Sequence, residues 1–123
     1  MDQLQRAVVA LAQPAEIQVG LLPDGVCKGD ELALDFEEAL PNLSDKQVSA
    51  EQQAAISALD DLILAMSGER NIEFWTDESL LRSHPTWEEI RVSAKACAIA
   101  FGWDLRPPPP SGAIYIVAGG SGS

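Results

Sequence analysis

Apolar residues recur at helical spacing through most of the chain. From Asp2 to Ala12, Leu4, Ala7, Val8 and Leu11 share one face, and Pro14 ends that element or starts a second short turn. Residues 14–22 read as another short helix closing at Leu22-Pro23-Asp24-Gly25, a turn signal. The next helix is predicted to start at Asp30 and run to Leu40, where Pro41 stops it. Leu32, Phe36, Ala39 and Leu40 make its inner face, which Leu43 extends, and Leu34 falls among the acids of the outer one. The longest helix is predicted over 50–67. Ser49 and Gln52 match a capping box, Ala55, Ile56, Leu59, Leu62, Ile63 and Met66 form the stripe, and Gly68 ends it.

Residues 71–76 lack a clear period and are predicted as a short extended piece or a loop that plugs Ile72, Phe74 and Trp75 into the core. Thr76, Asp77 and Glu78 then start a brief helix to Ser83, which His84-Pro85 breaks. Thr86 followed by Glu89 is a second capping-box pattern. It opens a helix to Phe101 whose inner face is Trp87, Ile90, Ala94, Cys97, Ala98 and Phe101, closed by Gly102. Val92, Ala96 and Ile99 make a second apolar side. The expected fold class is all-α, a compact bundle of five or six helices over residues 1–105, built around those at 50–67 and 86–101. A proline-rich spacer at 106–112 and a short strand with a Gly/Ser-rich end at 113–123 follow.

Charge changes this picture more than composition does. The net formal charge of −11 repels phosphate backbones, so direct nucleic-acid binding is not expected. Residues 1–61 hold 12 acids and 3 bases, residues 62–123 hold 7 and 5, so the acidity belongs to a region. Its densest part, Glu31, Asp35, Glu37 and Glu38 around Leu34, has the form of an apolar anchor within a charged rim, or of an ordinary solvated face. Asp60 and Asp61 lie off the core stripe of the 50–67 helix as outer members of the same surface. A basic protein partner fits this surface. The chain opens on Met1-Asp2-Gln3 without a basic leader, and its apolar runs are shorter than a bilayer span, so a soluble cytoplasmic protein without membrane contact is expected.

Catalytic and metal patterns find little support. Two cysteines in unlike contexts and one histidine do not make a zinc set. Cys97 lies on the most apolar helix face, where a thiolate is disfavoured, so a Cys97–His84 pair is not expected to act as nucleophile and base. Ala65-Met66-Ser67-Gly68-Glu69 lacks the two glycines of a serine elbow. In the loop from Asp24, Val26 and Lys28 stand where a calcium hand needs oxygens. No catalytic residue and no cofactor is assigned.

The end of the chain carries a resemblance. Ala113-Ile114-Tyr115-Ile116-Val117-Ala118 has the make-up of a buried parallel strand, and Gly119-Gly120-Ser121-Gly122-Ser123 matches the first five positions of G-x-x-x-x-G-K-[ST]. "IYIVAGGSGS" looks like the first strand and truncated phosphate loop of P-loop kinases, and "IYIVAG" is similar to the opening of zeta-type toxin kinases. The resemblance implies nucleotide contact through Gly119, Gly120 and Gly122. ATP and magnesium enter only if a P-loop domain continues beyond Ser123, since the motif's lysine and hydroxyl are not in these residues. A flexible linker and a native terminus are the competing readings of the same glycines. In families resembling zeta-type kinases, helical antitoxins inhibit the kinase, sometimes joined to it.

The expected function is therefore an acidic helical protein-binding module. It would inhibit a basic toxin kinase or nuclease in the manner of an antitoxin or immunity protein, in cis where a kinase is fused. The alternatives are the N-terminal part of a P-loop kinase, with the helices as scaffold, and a structural interaction domain.

Overall fold

The computed structural model describes residues 2–109, which form seven α-helices and two 3-10 turns, with no strand among the described residues. The helices are α1 (Gln3–Leu11), α2 (Ala15–Leu21), α3 (Lys28–Ala39), α4 (Ala50–Ala65), α5 (Ile72–Thr76), α6 (Glu78–Ser83) and α7 (Pro85–Phe101). The 3-10 turns, Leu40–Asp45 and Glu69–Asn71, link α3 to α4 and α4 to α5. The all-α expectation holds. The expected strand, with Gly119, Gly120 and Gly122, and the later part of the proline segment lie outside the described residues.

Each inner face predicted from periodicity is where the core is. Leu4, Ala7, Val8 and Leu11 of α1, Leu32, Phe36 and Ala39 of α3, Ile56, Leu59 and Ile63 of α4, and Trp87, Ile90, Ala94, Cys97 and Ala98 of α7 are buried together. The helices stand in a row: α4 on α7, α7 on α1, α1 on α3. α5 packs on α3 and α6 on α7, and the two short helices also touch each other.

Caps fix the helix starts. Asp2 accepts from the Gln5 amide at 2.8 Å, and Ser49 and Gln52 exchange both bonds of a capping box, as the sequence predicts. Gln52 also donates to the Ala100 carbonyl at 3.2 Å, tying α4 to the end of α7. Ser49→Ala is expected to lower stability by about 1 kcal/mol. In urea unfolding this reads as a lower midpoint with an unchanged slope.

Three elements depart from expectation, two for tertiary reasons and one for a local one. α3 starts at Lys28, two residues before Asp30, which lies in its first turn with Glu31. Lys28 is buried at that start because its ammonium donates to the Val19 carbonyl at 2.8 Å and faces Asp24 and Glu78 at 3.7 and 3.6 Å. Residues 72–76 are helical rather than extended or looped: the Trp75 indole donates to the Met66 carbonyl at 2.8 Å, and the Phe74 carbonyl accepts from Trp87 at 3.1 Å. Phe74 is buried and Trp75 half-buried, but Ile72 points outward, so it does not plug the core as expected. α7 starts at Pro85, not Thr86. Proline suits the first helical position, and His84 caps it by accepting from the Thr86 amide at 3.1 Å.

An aromatic cluster sets the spacing of these parts. Trp87 is fully buried, stacks on Phe74 with ring centres 5.1 Å apart and meets Trp75 edge-on at 5.5 Å. α3 passes directly against it at Gly29. A methyl there would stand 2.8 Å from the Trp75 carbonyl oxygen and 2.9 Å from Trp87 Cζ2, so only glycine permits the approach. Arg91, also buried, donates to Gln18 and to the Leu81 carbonyl, joining α2, α6 and α7. Beyond α7 the chain turns at Gly102, in the left-handed region, and returns along α1. There Gln13 donates to the Leu105 carbonyl at 2.9 Å, Arg6 donates to the Pro109 carbonyl at 2.7 Å, and Pro108 is buried.

Candidate functional site

α3 and α4 are the ends of the helical row and meet only loosely, so an open groove of about 310 Å³ remains between them. Ile63, buried on α4, and the half-buried Trp75 of α5 form its apolar base. Leu34 of α3, 44% exposed, and Leu64 of α4, 53% exposed, stand on either side. Asp30 and Glu37, two turns apart on α3, supply its acidic edge. Leu34 thus belongs to a shared apolar surface instead of standing alone on one helix.

The groove divides the acidic surface expected from sequence. Leu34 and Glu37 line it, and Asp60 joins them by facing Glu37 from α4. Asp61 is exposed and does not line the groove. Glu31, Asp35 and Glu38 belong to the neighbouring side of α3, where Asp35 and Arg6 line a second cavity of about 310 Å³ beneath Pro108 and Pro109. Burial, then the charges of Glu31 and Glu38, push the Asp35 carboxyl above its usual range against the pull of Arg6.

Sequence reading missed Leu64 and the part played by Asp30, Ile63 and Trp75. One signal was available: Leu64, like Leu34, is a leucine outside its helix's core stripe. The meeting of those two leucines is a tertiary fact.

Glu37 and Asp60 form the most unusual electrostatic feature of this face. Glu37 Oε2 and Asp60 Oδ1 are shielded from solvent, and neither has a hydrogen-bond donor among the described residues. None of the described ion pairs includes Asp30, Glu37, Asp60 or Asp61; the cations of Lys28, Lys46, Arg82, Arg91 and Arg106 are engaged with other acids. Burial first, then hydrogen bonding and repulsion from Asp60, raises the Glu37 carboxyl to about 7. A proton retained on Glu37 relieves that repulsion.

The sign of the resulting pH dependence follows. The folded state holds this proton more tightly than the unfolded chain, so the associated stability is present below the ordinary glutamate value of 4.5 and is lost as pH rises through about 7. Glu37→Gln should therefore flatten the decline in stability between mildly acid and mildly alkaline solution. The gain over the parent chain at the alkaline end is about 1–2 kcal/mol after allowing for partial solvent screening. Urea unfolding at both pH values checks it.

No known protein family, curated protein or solved structure matches the chain.

The rest of the described molecule offers less chemistry. Cys97 is fully buried and its thiol is pushed up to about 12 by burial, which suits packing and not nucleophilic attack. Cys27 is exposed ahead of α3, and the two thiols are not joined. His84 lies edge-on to Phe74 with ring centres 4.9 Å apart, its Nδ1 occupied by the Thr86 amide. Among the described residues no three His, Cys, Asp or Glu side chains are grouped to hold a metal, and no helix is long and apolar enough to cross a membrane. The α3–α4 groove, by contrast, combines exposed leucines with acids that lack a described cationic partner, an arrangement suited to binding.

Proposed function

We propose that this chain is an acidic protein-binding module that holds a basic partner on its α3–α4 face, acting as an inhibitor of the antitoxin or immunity type. The observation that carries the reading is the pairing of Leu34 and Leu64 across an apolar groove edged by Asp30 and Glu37. Leucines give a partner area to bury, and the acids choose its charge and speed the encounter. An acidic face of this kind would cover the cationic cleft in which a kinase or nuclease receives its phosphate-bearing substrate. In the cis form of the proposal, the partner is a kinase domain continuing in frame from Ser123, in line with the resemblance of residues 113–123 to a phosphate-loop strand.

Coexpression with the protein encoded beside this chain, and with any domain continuing beyond Ser123, tests the proposal. An inhibitory module forms a complex that weakens with salt and with Asp30→Lys combined with Glu37→Lys, and whose formation suppresses the partner's activity. The same reversals at Glu31 and Glu38, on the neighbouring side of α3, should matter less. A complex indifferent to salt and to the groove reversals would overturn the reading.

A further inference from the structure

Resting on that reading, the groove also specifies what kind of element it receives. It lies between two helices, and no strand edge is present among the described residues to extend by main-chain pairing. Its apolar strip runs from Leu34 to Leu64 over Ile63 and Trp75, the shape that accepts the ridge of a third helix. A second copy of this chain is a poor occupant, because it too carries a net charge of −11.

One end of the strip is chemically distinct. Glu37 and Asp60 present shielded carboxylate oxygens to each other without a donor between them. Asp60 is the facing group from α4, α5 contributes the uncharged Trp75, and Asp30 lies two turns away on α3 itself. Two ionised carboxylates cannot hydrogen-bond to each other, and a proton or an incoming cation between them relieves their repulsion.

We propose that the groove takes one amphipathic α-helix of the partner, whose apolar ridge covers Leu34 and Leu64 while a lysine or arginine beside the ridge comes between Glu37 and Asp60 and displaces the proton held by Glu37. The proton passes to solvent as the cation arrives, so association is coupled to proton release. Below the range in which Glu37 ionises in the free chain, proton and cation compete, and affinity rises about tenfold per pH unit for one proton released. Above it, affinity levels off.

A histidine-free amphipathic peptide of leucine and lysine is the probe, titrated calorimetrically into the full chain at several pH values in buffers of different ionisation heat. The expected result is binding that releases close to one proton in mildly acid solution and none in alkaline solution, with affinity rising between them. Glu37→Gln should remove the proton release and the pH slope while leaving the peptide bound. Leu34→Ser with Leu64→Ser should weaken binding at every pH without changing the slope. Groove-dependent binding without proton release overturns the proton–cation exchange alone. Binding that ignores both leucines overturns the docking face as well, and self-association of the chain through these leucines in the absence of peptide would replace the basic helix with a second copy.

Discussion

Trp87→Ala is expected to lower the free energy of unfolding by about 3–5 kcal/mol, a large share of the margin of an ordinary domain. Three losses coincide. A fully buried indole is removed, the Phe74 ring loses its stacked neighbour, and the Phe74 carbonyl loses the donor it receives at 3.1 Å. Trp87→Phe keeps most of the buried area and removes that hydrogen bond, so it should cost only about 1–3 kcal/mol. Urea denaturation of both variants separates packing from bonding. Function should follow, because Trp87 and Trp75 are the surfaces against which Gly29 seats α3. A looser seat displaces Leu34 and Glu37 from α4, so Trp87→Ala should weaken partner binding without altering any groove residue.

Leu34→Asp combined with Leu64→Asp is expected to reduce affinity for a basic amphipathic helix by about 100-fold or more. Each leucine offers roughly 1–2 kcal/mol of burial on docking. The added carboxylates attract the partner's cations, but they also place charge where its apolar ridge must lie, and desolvating that charge opposes the gain. Both leucines are exposed, so the fold should survive, as near-ultraviolet circular dichroism can verify. Val92→Ser with Ile99→Ser is the comparison. These side chains, 58% and 66% exposed on α7, lie outside the groove lining, and their replacement should leave affinity unchanged.

Much of the fold was legible because its signals are local. The stripes of α1, α3, α4 and α7 were read from spacing alone, as was the Ser49–Gln52 cap. Elements held by partners distant in sequence were read less well. Helix α5 is secured through Met66 and Trp87, and the start of α3 depends on the Val19 carbonyl and Glu78 reaching Lys28. The candidate site divides in the same way. Leu34 and the acids around it were visible on one helix, but which acids face the groove depends on how α3 lies against α4. Glu37 and Asp60 were read as members of one acidic surface, Asp60 an outer one; the direct meeting of their carboxyls across two helices carries no local signature.

The most direct test of the central claim is a nitrogen-15 amide NMR titration of the full chain with the leucine–lysine peptide. The account predicts shifts concentrated on α3 from Asp30 to Glu38, on the end of α4 from Asp60 to Ala65 and the following turn to Gly68, and at the Trp75 indole, which donates to the Met66 carbonyl beside the groove. Shifts centred instead on Val92 and Ile99, or spread evenly over all the acidic helices, would contradict it.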